Sequence, residues 1–375
     1  MTPDFRIRRS TGAMVFAAAL ALAASAHAAN NAYQQHNLVS NGAVPADNVD
    51  PNLVNAWGIA FNPTGVVWVA NNGTGTSTLY NGLGVPQALV VTIPAAPGAQ
   101  GPGSPTGTVF SGSNDFAVSN GTTSAPSRFL FVSEDGVISG WAPTVDATHA
   151  VQAVFNQNAI YKGVAITGNG TGNFLYATDF FGAKIDVFDA TFAPVTTPGG
   201  FTDPNLPAGY APFNIQNIGG DLYVTYAKQD PTKTTDVHGP GLGIVNVFDA
   251  NGNLIRRVAT GGTLNAPWGV ALAPASFGRF ANRLLVGNFG DGTISAFNPR
   301  NGNFVGRMRT PDGAILTIDG LWGLAFGNGV QNQPTNTLFF TAGPNAEANG
   351  LYGSLMAVPG AMTFTTGDDS DRDDH

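Results

Sequence analysis

Short apolar runs separated by turns dominate the chain. Residues 76–80, 137–141, 184–188, 243–248, 293–297 and 352–358 alternate apolar and polar positions, as strands with one buried face do. Each is preceded by a run rich in β-branched and aromatic residues, at 66–70, 129–133, 174–178, 222–226, 284–287 and 338–341. Further runs, such as 87–93, 150–155 and 253–259, follow them.

Ahead of each group stands a phrase that returns roughly every 50 residues, an interval typical of stacked or circular repeats. Its clear copies are Ala56-Trp57-Gly58-Ile59-Ala60, Pro267-Trp268-Gly269-Val270-Ala271 and Leu321-Trp322-Gly323-Leu324-Ala325. Weaker copies are Asp115-Phe116-Ala117-Val118, Lys162-Gly163-Val164-Ala165-Ile166 and Pro212-Phe213-Asn214-Ile215. Six units of four strands at this period predict an all-β fold, a six-bladed β-propeller. The last unit ends near Val358 with three strands, and residues 33–40 stand alone before the first phrase. An N-terminal strand completing the last blade closes the ring and leaves no open sheet edge. The ring-then-glycine phrase is expected to fill the wedge between adjacent blades, with glycine letting the backbone pass closely.

Composition agrees: 49 Gly and 25 Pro stand against four Lys and two Glu, so turn formers are abundant and helix formers scarce. With 43% hydrophobic and 11% charged residues, against a usual charged share of about 25%, the chain is no coiled coil, disordered tail or polybasic binder. The formal charge of −8 argues against nucleic acid as a partner.

Three arginines precede the apolar run 13–24 and Ala26-His27-Ala28, so residues 1–28 are expected to be a signal peptide, through the Sec or the twin-arginine route. The run is shorter than a membrane span, which needs about 20 residues. The expected organisation is export to the periplasm or beyond, a propeller over 29–360, an acidic solvated tail over 361–375, and a monomer. No cysteine is present, which excludes disulfides and thiolate metal sites.

In such a blade the loops leading into the inner strand and those joining the second and third strands share one face, the upper face below. Candidate ligand-binding residues there are Asn55, Asn114, Glu134, Asp179, Tyr226, Asn288 and Glu347. Asn55, Asp115, Asn265 and Asp319 form a candidate hard-oxygen set suited to Ca²⁺, with Asp115 and Asp319 as candidate bases for water. Histidines lack metal-ligand spacing, and only His238 is placed to reach this face.

The phrase at Pro267–Ala271 with Leu284-Leu285-Val286-Gly287-Asn288-Phe289-Gly290-Asp291-Gly292 resembles the NHL repeat. The stretch 33–358, through Tyr210-Ala211-Pro212-Phe213 and Asp319-Gly320-Leu321-Trp322, looks like a bacterial family of exported six-bladed propellers with no assigned activity. A more distant likeness is to the gluconolactonase and senescence-marker propellers, which implies an axial Ca²⁺ held by one Glu, two Asn and one Asp; the first of those positions reads Asn55 in this chain. Three functions follow as expectations: binding of a small molecule, glycan or protein on the upper face; Ca²⁺-dependent hydrolysis of lactones or esters; or a structural, matrix-associated role.

Overall fold

The computed structural model describes residues 32–359; the expected signal peptide and acidic tail lie outside them. Six antiparallel sheets follow one another around a central axis. The inner strands of blades I to VI are Ala56–Phe61, Pro105–Phe110, Tyr161–Gly168, Tyr210–Ile218, Pro267–Leu272 and Leu321–Phe326. Among the described residues the only helical element is one 3₁₀ turn at Gly278–Phe280, and no helix is long and apolar enough to cross a membrane.

Ring closure follows the expected route. Ala32–Ser40 lies antiparallel to Leu351–Val358, running from Ala32 opposite Val358 to Ser40 opposite Leu351, and so becomes the fourth strand of blade VI. The short strand Asn48–Val49 adds to it in parallel. Tyr33 anchors the seam to blade V: its buried hydroxyl donates to the Phe277 carbonyl (3.2 Å) and accepts from the Phe280 amide (3.0 Å), and its ring stacks on Phe280. Burial has pushed this hydroxyl's pKa far up, so it remains a neutral donor.

Glycine sets how closely the blades approach. A methyl on Gly58 would stand 2.6 Å from the Thr106 carbonyl oxygen and 2.8 Å from the Thr108 nitrogen. One on Gly323 would meet the Thr341 hydroxyl at 2.6 Å and the Trp57 carbonyl at 2.7 Å. Blade IV has Asn214 at this position, and its amide nitrogen donates to the Trp268 carbonyl of blade V (2.8 Å).

Blade II corrects one reading of the repeat. Its inner strand is Pro105–Phe110, centred on Thr106-Gly107-Thr108, and not the phrase at Asp115–Val118. Phe116, with φ 55°, leads into an inserted hairpin of Ala117–Ser119 and Ser124–Pro126. Its ring packs in the core between blades II and III, which explains why the phrase looks like a strand start.

Candidate functional site

The repeat position ahead of the close-packed glycine holds Trp57, Thr106, Lys162, Phe213, Trp268 and Trp322 in blades I to VI. Four aromatic rings therefore turn towards the axis at one level. Trp57 stacks on Trp322 with centroids 3.6 Å apart, Phe289 stacks on Trp322 at 3.8 Å, and Trp268 meets both tryptophans edge-on. Phe213 and Phe180 continue the cluster. The rings thus converge across the ring of blades into an axial plug, where wedges between neighbouring blades were expected. All three tryptophans are buried, Trp57 to 2% exposure, and offer no open face for stacking.

Blade III departs from the pattern with Lys162. Its side chain is 4% exposed, with the ammonium 5.1 Å from the Trp57 ring centre and 5.9 Å from that of Phe180. A charge so buried needs a partner, and the ammonium is ion-paired with Glu134 of blade II. The second Glu134 oxygen accepts from Asn72 Nδ2 (2.9 Å). Asn55 Nδ2 donates to Asn72 Oδ1 (3.2 Å) and to Glu347 Oε2 (2.7 Å), while Asn55 Oδ1 accepts from the Trp322 indole (3.1 Å). One polar chain thus runs from blade VI through I and II to III, directly over the plug.

Glu347 is held there by an unusual loop. Asn345, Ala346 and Glu347 all have positive φ, at 57°, 53° and 66°, a conformation that costs roughly 1–2 kcal/mol per non-glycine residue. Burial raises the Glu347 carboxyl above the ordinary carboxylate range and the neighbouring Glu134 charge adds to this, while the Asn55 hydrogen bond acts against it. Such strain concentrates where a side chain must be presented in one place.

Blades IV and V complete the mouth. His238, on the long loop of blade IV, packs edge-on against Phe289 (5.1 Å) and pairs with Asp236 (2.8 Å). The Asp236 hydrogen bond raises the imidazole pKa against the opposing effect of burial, and the Glu347 and Asp291 charges act in the same upward direction. Asn265 fixes this loop by accepting from the Gly239 amide (2.7 Å).

Of the residues expected from sequence, Asn55, Glu134 and Glu347 meet at the mouth, and His238 reaches it. Asn288 is buried and spent on its own turn, bonding Thr263, Thr293 and the Asn265 amide. Asp179 caps the Ile160 and Gly182 amides, and burial raises its pKa. Tyr226 lies in the core between blades III and IV. Asn114 and Asp115 fall on the lower face: Asp115 accepts from Asn173 Nδ2 (2.6 Å), and Asn173 is opposite Gly168, the last residue of its inner strand.

The proposed calcium set therefore does not share one centre. Asp115 is on the other face, Asp319 is exposed and caps the Asn345 amide (2.8 Å), and the Asn55 and Asn265 carbonyl oxygens already accept protein donors. Among the described residues no three His, Asp or Glu side chains converge as a metal site. Asp236 and the role of Lys162 escaped sequence reading, although Lys162-Gly163 stands where the repeat elsewhere has Trp-Gly.

The architecture defines a six-bladed β-propeller whose upper mouth is a polar layer over an aromatic plug. The chain belongs to a family that includes two uncharacterised proteins of Acanthamoeba polyphaga mimivirus: one is 37% identical over 327 residues, covering 85% of this chain and 78% of that protein, and the other 36% identical over 329 residues, covering 85% and 84%. These relatives are viral and lend no support to a bacterial family. No family model matches the chain. Among solved structures, a streptogramin B lyase (12% identity, TM-score 0.50, covering 86% of this chain and 96% of that one) and a Bacteroides thetaiotaomicron protein of unknown function (11%, TM-score 0.55, covering 86% and 76%) share the fold.

Proposed function

We infer that the protein binds a small, neutral, hydroxyl-rich ligand, such as a glycan, at its upper mouth, in the setting of an exported protein. The observation that carries this reading is Glu347, a half-buried carboxylate held in a left-handed loop over the axis. It offers hydrogen-bond acceptors beside Glu134 and Asn72, while Lys162 offsets part of the negative charge. Carboxylate and amide acceptors suit hydroxyl donors, and hydrogen bonds to charged groups contribute more than neutral ones. The buried tryptophans support the floor from beneath and do not stack on the ligand.

The test is a titration with a panel of neutral mono- and oligosaccharides, followed by tryptophan fluorescence. Glu347→Gln and Glu134→Gln are each expected to weaken a bound sugar about tenfold, or 1.4 kcal/mol. A sugar whose affinity neither change alters is bound elsewhere, and the reading fails.

A second reading, acid–base chemistry on a lactone or ester, is favoured by one observation: Glu347 and His238, both with raised proton affinity, face the same mouth. Turnover of aryl esters or lactones that is lost in Glu347→Gln and His238→Gln would support it. Repeating the assay with calcium and with a chelator tests the metal dependence.

A further inference from the structure

We propose that the lower mouth is a separate binding site for a neutral, unbranched amphiphile with a single hydrogen-bonding head group. The six inner strands open there into a funnel of about 410 Å³, within the range of small-molecule pockets, roughly 300–1,000 Å³. Every inner strand contributes three consecutive residues to the wall. The outermost ring is Phe61, Phe110, Ile166, Ile218, Leu272 and Phe326, one large apolar side chain from each blade. Leu272 is 43% exposed although it lies on an inner strand.

No charged residue lines the funnel. Its three polar residues are Thr108, Gln216 and Asn217, and the Asn217 amide is already spent on the Ile166 carbonyl (2.8 Å) and the Gly220 amide (3.0 Å). Thr108 and Gln216 also line a narrow cavity of about 20 Å³ adjoining the funnel, and so mark its throat. Thr108 is only 6% exposed, and its hydroxyl is buried with no hydrogen-bond partner. Leaving such a group unpaired costs roughly 1–3 kcal/mol. A polar pair at the throat and an apolar ring at the rim suit a ligand with one polar end and a hydrocarbon body. The absence of a counter-charge in the wall disfavours an ionised head.

The experiment uses 1-octanol and octanoate as probes at pH 8, titrated calorimetrically into the whole protein. The expected result is saturable binding of one octanol per chain, with octanoate at least tenfold weaker. Leu272→Asp, a change at an exposed rim position, should abolish binding without altering the melting temperature. Leu83→Asp, at an exposed position of blade I outside the funnel, should leave it unchanged. Gln216→Leu and Thr108→Val should each weaken octanol about tenfold. Absence of saturable octanol binding, equal affinity for octanoate, or full binding by Leu272→Asp would overturn the proposal. Unchanged affinity in Thr108→Val would do the same, because it would mean that the hydroxyl serves only a trapped water.

Discussion

The Lys162 ammonium lies 5.1 Å from the centre of the Trp57 ring, at a repeat position that aromatic side chains fill in four of the six blades. This cation is desolvated by the plug and balanced by Glu134, whose side chain is 30% exposed. A double-mutant cycle with Lys162→Met and Glu134→Gln, read by urea denaturation, should give a coupling energy of about 1–3 kcal/mol. An exposed ion pair gives about 0.2–1 kcal/mol, and a value in that range would mean that burial adds nothing to the pair.

Glu347 should make stability fall with rising pH. Its folded pKa is raised above the ordinary 4.5, so the folded protein holds this proton more tightly than the unfolded chain does. Below about pH 4.5 both states are protonated and the group carries no penalty. As pH climbs through the folded value the full cost of ionisation appears. Glu347→Gln keeps an acceptor for Asn55 and is therefore expected to be more stable than the wild type at pH 7, with the gap closing by pH 4. Equal urea midpoints at pH 7 would contradict this.

His238 has the opposite charge on protonation but the same direction with pH. Its folded pKa is raised above 6.5, chiefly by Asp236, so its stabilising contribution is complete below that pH and disappears as pH rises through the folded value. An NMR titration of the imidazole should show a midpoint above 6.5 in the wild type and a lower one in Asp236→Asn.

Glycine substitutions should separate close packing from chain flexibility. Gly58→Ala drives a methyl into the backbone of the neighbouring blade and is expected to cost about 1–3 kcal/mol or more. Gly172→Ala, on a lower-face turn where the nearest atom is 3.9 Å away, should lie within about 0.5 kcal/mol of the wild type. Chemical denaturation of the two variants makes the comparison.

Tyr33→Phe removes one hydroxyl and leaves the buried Phe277 carbonyl and Phe280 amide without it. The expected loss is about 1–3 kcal/mol. Hydrogen exchange should quicken first along Leu351–Val358, the strand paired with the one that carries Tyr33.

The blade count and the closing strand were legible because each blade repeats the same order of apolar runs and turns, although the middle strands, expected to bury one face, are packed on both and buried at every position in most blades. The second phrase misled because Phe116 is buried in the core between blades II and III without belonging to an inner strand, while the true inner strand has Thr106 where the other copies have a ring or a lysine. Gly107 was the usable signal, since the glycine is what the close approach of blades demands. Loop residues were harder to read. Asn288 and Glu347 look equally eligible in sequence, yet one satisfies its own turn and the other is turned over the axis by three successive left-handed residues. That difference rests on backbone torsions that the residue types at these positions do not announce.

The pairing of Ala32–Ser40 with Leu351–Val358 makes the two ends of the described chain mutually dependent. A molecule assembled from its N-terminus, the usual order for a nascent chain, carries Ala32–Ser40 with only the short strand Asn48–Val49 beside it until Leu351–Val358 has emerged. The ring can then only snap shut as a whole. A circular permutant opened between Phe155 and Tyr161 would split no blade, so every strand would find its sheet partners within a continuous stretch of chain and the seam would rest on packing between blades II and III alone.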